Sequence, residues 1–513
     1  MTRSTDVEQL RRGAKSLKKA NLSGADLSGV DLRSVDLSKA NLQQVNLRGA
    51  NLSKAVLLKA DLSHADLTGA VLIRANLQGA MLTKANLGGA KLRRANLRQA
   101  NLNKANLAKA DLREANCREA SFRRVSLQLT NLERANLGQA NLSEADVSGA
   151  NFRNVLLMGA SFIGVRSEGI PDLRHSRIDK KTNFDGKLRW VWRIQNRCAK
   201  DLDLRGVDLS EQKLHKFDFN SADLSEANLS RSKIKHLQGA NLQGSKLIGA
   251  DLVRANLENA NLCQADLRSA KLDMAYLRGS KIDSSTQISS KWRLVWKIVN
   301  EGCNYLELQG VDLRNANLRG VDLSRADLQE ACINYASLRG ANLQGTNLQR
   351  AQLSRADLGE ANLENANLRR AQLNKIYWNA ANLKNSNLEG SELKESRFHE
   401  SDLTRANLRC SNLDRVHFGN SNLSGADFSN SSLMGAYFYD VSICDANFKS
   451  AILTGVTITI KSWRMNEYTN FDDVICDYVY SRYPWHRHPC DPNQNFEPGE
   501  FAMRLSLGIL DEA

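Results

Sequence analysis

The chain has 513 residues, a formal net charge of +15, 6% aromatic residues and five prolines. Its hydrophobic share of 42%, drawn mostly from Leu and Ala, suits a thin core filled many times over better than one thick core. The basic balance points toward anionic partners: nucleic acid, an anionic membrane surface or an acidic protein.

Residues 1–16 lack the apolar core of a signal peptide, and no stretch approaches the ~18 apolar residues of a membrane span. The nine cysteines include no CxxC pair. No disulfide framework is expected, and a reducing, cytoplasmic setting is. Thr5 and Glu8 stand at capping-box spacing ahead of Leu10, which predicts a short N-terminal helix over this segment.

From 17 to 165 the chain keeps a five-residue beat. Leu, or a close substitute, recurs at Leu22, Leu27, Leu32 and onward without a slip to Phe162. Two places before most of them comes Ala, with Val at Val30, Val35, Val45, Val125 and Val155. Asn or Asp usually precedes the Leu, and two variable polar residues follow it. Neither regular element fits. A helix advances about 140° net in five residues and would smear the Leu around its surface. A strand would send successive Leu to opposite faces. A chain that turns a corner every five residues points Leu and Ala inward each time. Four sides of five residues close a square coil of about 20, and coils stack at about 4.8 Å. Cys117 stands in a Leu slot, where a thiol serves as a small apolar filler.

Residues 166–203 interrupt this beat, 204–282 resume it, 283–307 interrupt it again, and 308–460 carry a third tract. In the second tract the step from Ile234 to Leu237 is short by two residues, so one coil is expected to be smaller. In the third, Trp378, Phe398, Phe418, Phe428, Phe438 and Phe448 take Leu slots, and wider or distorted coils are expected. The two interruptions are copies of one another. "KLRWVWRIQN" from Lys187 aligns with "KWRLVWKIVN" from Lys291, matching Val191 with Val295, Trp192 with Trp296, Ile194 with Ile298 and Asn196 with Asn300. Each predicts a short amphipathic helix; the second is capped by Ser289 or Ser290 and ended by Gly302. Trp190, Trp192, Trp292 and Trp296 then either plug an open coil end or dock a partner. Residues 461–513 abandon the beat, gain aromatics and prolines, and read as a C-terminal cap with a short helix near "EFAMRLSLGIL".

The unit A(D/N)LXX, repeated in register through three tracts, resembles the pentapeptide-repeat family. That resemblance implies an all-β solenoid, a right-handed quadrilateral β-helix, here in three tracts with short α-helical caps and joints. The Trp-bearing joints and the "CDYVY…PGEF" tail are similar to elements of cyanobacterial members. Some family members imitate duplex DNA and inhibit DNA gyrase, a role that requires a strongly acidic surface.

No HExxH, GxSxG or phosphate-loop pattern occurs, and a coil filled by Ala and Leu offers no catalytic hollow. Neither an enzyme nor a cofactor is expected. Cys476, His486, His488 and Cys490 cluster in sequence but lack paired ligand spacing, so they are candidates for a metal that the reading does not assign. Residues 20 apart stack in columns. One column holds Lys54, Arg74, Arg94, Glu114 and Arg134, with Arg93 and Arg113 beside it. The opposite column holds His64, Lys84, Lys104 and Arg124. These cations are the candidate anion- or partner-binding residues. The leading reading is a protein-interaction scaffold with a protein partner, acidic if the columns serve it. Nucleic acid bound through those columns is the alternative, and a DNA-imitating regulator of gyrase is the least favoured reading.

Overall fold

One β-turn per unit explains why the chain turns a corner every five residues. The Leu22 carbonyl accepts the Ala25 N–H at 3.1 Å, and Gly24 between them has φ +60°. Most other corners put a long side chain at this position, as with Lys54 (φ +59°), Arg74 (+58°) and Glu114 (+60°). A positive φ at the third residue of a turn bends the backbone sharply enough to return Ala and the next Leu to the inside. Leu22, Leu32, Leu52 and their equivalents are fully buried, and the Ala between them almost so.

The computed structural model describes residues 8, 13–167, 171–199, 202–303, 306–459, 463–481 and 486–507. The N-terminal helix expected from Thr5 and Leu10 lies outside these residues. The chain divides into two compact units: Met1–Asp251 with Asn261–Ala270 and Ile282–Thr286, and Leu252–Ala260 with Lys271–Lys281 and Gln287–Ala513.

In the first unit, parallel pairs repeat at intervals of one coil: Asn21 with Asn41, Asn41 with Asp61, Asp61 with Met81. Leu22 N–H donates to Asn41 C=O at 2.8 Å, and Asn41 N–H donates to Ala20 C=O at 2.9 Å. The architecture is the expected right-handed quadrilateral β-helix. The Asn/Asp position makes two further kinds of bond. Asn96 Oδ1 accepts the Arg98 N–H at 3.2 Å, closing a small side-chain turn. The Asn96 amide donates to Asn76 Oδ1 at 3.0 Å, one coil away, so the amides form a ladder. Cys117 fills its slot fully buried, and burial pushes its thiol up to about 12.

The beat ends at Phe162, but the ladder does not. Asn151 pairs with Asp172, Leu156 with Arg177, and β1 (Ser161–Phe162) with β2 (Asn183–Phe184). The first tract therefore extends beyond the expected limit at 165. Inserted residues disrupt the sequence period while the backbone pairing absorbs them. Helix α1 (Gly186–Asn196) follows, capped by Asp185, whose side chain accepts the Leu188 N–H at 2.8 Å. Further along, Asp218 pairs with His236 and Asp223 with Asn241, so the coil at Ile234 is shorter by the two expected residues.

In the second unit, helix α2 (Ser290–Asn300) has Ser289 at its N-cap position without a side-chain cap bond, and Gly302 follows its end at φ +85°. The aromatic Leu-slot residues do not disorder the late coils. They stack one per coil: Trp378 on Phe398 at 5.3 Å, Phe398 on Phe418 at 5.2 Å, Phe418 on Phe438 at 5.1 Å. Beside them the backbone straightens into true strands, β3 (Arg397–His399), β4 (His417–Gly419), β5 (Tyr437–Tyr439), β6 (Val456–Ile458) and β7 (Val479–Ser481), all parallel. Pairing again outlasts the beat, reaching Ser481 instead of 460. Strand β8 (His486–His488) then runs antiparallel to β7. Helix α3 (Glu500–Ser506) follows, and its Phe501 packs edge-on against Phe471 at 6.3 Å.

One terminating device occurs three times. Thr182, Thr286 and Thr469 each donate the side-chain hydroxyl to a carbonyl of the preceding coil, Leu157, Leu262 and Ile443, at 2.9, 3.0 and 3.1 Å. Three residues before each stands Asp179, Asp283 or Asn466. Its Oδ1 accepts a backbone N–H from Gly159, Gln264 or Asp445. The device lengthens the coil and prepares the chain to leave the square path.

Candidate functional site

The predicted columns exist. Arg74 N–H donates to Arg93 C=O and Arg94 N–H to Arg113 C=O, while Lys84 N–H donates to Asn103 C=O and Lys104 N–H to Arg123 C=O, so the candidate cations stand in successive coils. They are not equally free. Glu114 sits between Arg93 (2.9 Å) and Arg94 (2.7 Å), and these guanidiniums, Arg94 foremost, hold its carboxyl below the usual range. Arg113 closes on Asp111 at 2.7 Å. Arg124 shares Glu144 with Arg123. Lys54, Arg74, Lys84, Lys104 and Arg134 have no ion-pair partner among the described residues, and all are exposed. The first tract turns no aromatic side chain outward.

The Trp residues of the joints face inward to varying degrees. Trp292 is buried; Trp190, Trp192 and Trp296 are half-buried. Trp192 Nε1–H donates to the Ser176 carbonyl at 3.3 Å and Trp296 Nε1–H to the Ser280 carbonyl at 2.9 Å. Asn196 and Asn300 donate to the carbonyls of Leu173 and Leu277, both at 3.1 Å. Lys187 reaches Asp208 and Lys291 reaches Asp312, both at 3.4 Å. The residues shared by the two joints thus include those that fasten each helix to the coil before it and the coil after it. Trp190, with Arg193 4.8 Å over its ring, borders an open cleft of about 510 Å³ in the first unit.

Cys476, His486, His488 and Cys490 do not converge. Among the described residues no group of three or more His, Cys, Asp or Glu side chains could hold a metal ion. The Cys476 thiol is buried and pushed far up by desolvation, and it donates to Leu453 C=O. His488 is buried with Nε2 against Ser481 Oγ, while His486 and Cys490 are exposed.

One site was missed. In the second unit the Asn/Asp position of one side is occupied by Tyr377, Arg397, His417, Tyr437 and Thr457, and the row continues to Tyr480. The signal was present: the residues from Tyr377 to Thr457 lie 20 apart and break the amide ladder. A groove of about 550 Å³ opens along the row.

A narrow tube of five-residue sides with a fully occupied bore defines a β-solenoid of pentapeptide units. The chain belongs to the pentapeptide-repeat family: the model for pentapeptide repeats matches 16–53, 60–99, 100–139, 135–166, 203–236, 236–273, 245–282, 307–345 and 346–376, and that for a pentapeptide repeat region matches 371–448. Among solved structures, it is similar to HetL, a pentapeptide repeat protein involved in heterocyst differentiation regulation from the cyanobacterium Nostoc sp. strain PCC 7120. That likeness has 26% identity over 56% of this chain and 100% of that one, with a TM-score of 0.25. It is also similar to a pentapeptide repeat protein of the Arabidopsis thaliana thylakoid lumen (38% identity, 18% and 66% of the chains, TM-score 0.18). The Nostoc protein alr5209 shares 43% identity over 20% and 82% of the chains, with a TM-score of 0.18. No curated protein matches the chain significantly. Among the described residues no helix is long and apolar enough to cross a membrane.

Proposed function

We propose that this chain is a non-enzymatic interaction scaffold whose first tract takes an acidic protein partner. One observation carries the reading: Lys54, Arg74, Lys84, Lys104 and Arg134 stand exposed and unpaired on a backbone held rigid by coil-to-coil hydrogen bonds. Like charges about 5 Å apart from coil to coil repel unless a partner neutralises them. The acidic residues favour protein over polyphosphate. Glu114 and Glu144 interrupt the columns and each pair with two arginines, cancelling half of their charge. Each of the two opposite columns mixes free and cancelled charge, which matches a mixed protein surface better than the uniform charge of a nucleic-acid backbone. A net charge of +15 opposes DNA imitation.

The test is duplex DNA binding measured between ~50 and ~200 mM salt, beside binding to an acidic protein recovered from native extract. A scaffold binds DNA weakly throughout, and its protein partner is lost in the Arg74→Glu, Lys84→Glu, Lys104→Glu triple variant. Tight DNA binding that collapses steeply over this range overturns the reading in favour of nucleic acid.

A further inference from the structure

The first unit carries a second group of cations, at the coil that is two residues short. Lys213 and Lys233 form a parallel pair in successive coils, and no other such pair among the described residues sets lysine on lysine. At a backbone separation of about 4.8 Å their ammonium groups repel. Neither lysine serves the chain that follows it. Asn or Asp in this position accepts the N–H two residues on, as Asp208 does from Ser210 at 3.0 Å and Asn228 from Ser230 at 3.2 Å. A lysine side chain has no acceptor, so the fold gains nothing from the exchange. A turn is missing beside the pair. Lys213 is followed by a turn at His215 and Lys216, whereas the chain passes from Lys233 to His236 with no turn between them. The corner that bears Lys216 therefore has none stacked on it in the next coil, and the surface steps inward there.

Four lysines gather at this step around one imidazole. Burial, and then the charges of Lys233, Lys216, Lys235 and Lys213, hold His215 below the usual histidine range. Its Nδ1 is buried without a hydrogen-bond partner. Lys233 is neutralised by Asp251 at 2.8 Å. Lys213, Lys216 and Lys235 have no ion-pair or hydrogen-bond partner for their ammonium groups among the described residues. Lys213 and Lys216 are exposed and Lys235 is half-buried. Asp218, the carboxylate nearest along the chain, accepts the Asn220 N–H at 2.9 Å and closes its own turn. Three uncompensated ammonium groups on two adjacent coils call for a ligand that packs several negative charges closely. Linked phosphates do so, and lysine grips a phosphate as a point charge that needs no set orientation. The planar fork that arginine offers a carboxylate is absent from the group. A duplex lays its phosphates along a track, whereas this group ends after two coils, where Asp251 cancels Lys233.

We propose that this step binds a short chain of linked phosphates, held by Lys213, Lys216 and Lys235. The chain can be inorganic, as in tripolyphosphate, or the tail of a nucleoside triphosphate. The site shares no residue with the basic columns of the first tract.

The full chain is titrated by calorimetry with inorganic phosphate, tripolyphosphate, adenosine triphosphate and a short duplex DNA, and the His215 ring protons are followed by NMR across pH. Tripolyphosphate is expected to bind at least ~10-fold more tightly than phosphate. Lys213→Gln with Lys216→Gln and Lys235→Gln removes that advantage, with an unchanged circular dichroism spectrum because the fold does not use these ammonium groups. Lys216→Gln alone, at an exposed corner, gives a partial loss. Bound tripolyphosphate raises the titration midpoint of His215, since it sets negative charge beside a ring that the lysines hold down. The Arg74→Glu, Lys84→Glu, Lys104→Glu variant keeps full binding, which separates this site from the columns. Equal binding of tripolyphosphate and adenosine triphosphate identifies the phosphate chain alone as the group recognised; tighter binding of adenosine triphosphate identifies a nucleotide as its source. No binding of tripolyphosphate up to ~5 mM overturns the proposal. So does binding that the triple glutamine variant keeps, or a duplex that binds as tightly through the same lysines.

Discussion

Trp296 is tied to Ser280: its indole N–H donates to the Ser280 carbonyl at 2.9 Å, 16 residues back along the chain. The bond links the middle of helix α2 to the coil on which that helix lies. Trp296→Phe keeps most of the ring and removes the donor, leaving a carbonyl short of a partner. We expect a loss of about 1 kcal/mol, seen as faster amide exchange in α2. Asn300→Ala removes the bonds to Leu277 and Gly279 together and should cost more. Equal protection of α2 in both variants and the parent would show that the anchor is dispensable.

The terminating threonines give a matched series. Thr182→Val, Thr286→Val and Thr469→Val each preserve shape and delete a hydroxyl that serves a carbonyl of the coil before. Each should cost about 1–3 kcal/mol in denaturant unfolding, against less than ~0.5 kcal/mol for Thr68→Val, whose hydroxyl serves no backbone carbonyl and meets only outward side chains, donating to Asp66 and accepting from Asn86.

Thiol chemistry should separate the cysteines by depth. Cys117 is enclosed and its thiol is pushed up to about 12, so the thiolate that reacts is scarce. Cys198, Cys410 and Cys490 are exposed. Brief alkylation of the native chain near pH 8, read by peptide mass spectrometry, should label these three and spare Cys117 and Cys476 until the chain is unfolded.

Acid should weaken the fold through its outward carboxylates. The Arg205 guanidinium holds Asp203 down at about 2, and Arg113 and Arg268 lower Asp111 and Asp266. A carboxyl lowered in the folded chain adds stability above the unfolded value of about 4, and that stability is lost as pH falls through the folded value. The unfolding temperature should therefore drop between pH 4 and pH 2. The Asp203→Asn, Asp111→Asn, Asp266→Asn variant should show a shallower drop, because Asn fills the same position in neighbouring units without titrating.

Corner residues should divide by partner. Arg74→Glu, Lys84→Glu and Lys104→Glu should each change stability by less than ~0.5 kcal/mol, since these side chains stand free. Arg94→Glu sets a second carboxylate beside Glu114 and should lower the melting temperature further. Gly89→Ala (φ +66°, with no atom near the added Cβ) should cost about 1 kcal/mol through backbone strain alone.

The square coil was legible because Leu22 and Ala25 recur with a period that no helix or strand tolerates. The short coil was legible too, since Ile234 and Leu237 stand two residues too close. The ends of the tracts were not. Backbone pairing between Ser161 and Asn183 needs no particular side chain, so it survives where the pattern stops. The stacking of the columns was legible, but the clamping of Arg93 and Arg94 by Glu114, and of Arg123 and Arg124 by Glu144, was not, because the sequence does not show which way an arginine leans. The groove escaped notice because Gly435 and Gly455 are ordinary occupants of a corner, and only the backbone pairing sets Arg397, His417 and Tyr437 in one row beside them.

The twenty-residue ascent between Asn21 and Asn41 has an evolutionary consequence. Gaining or losing a single unit keeps every Leu inside, so such a change folds. Yet it swings everything downstream through a right angle and scatters any column that crosses the seam. A change in length is therefore expected to keep the outward columns in register only when it comes in whole storeys of about twenty residues.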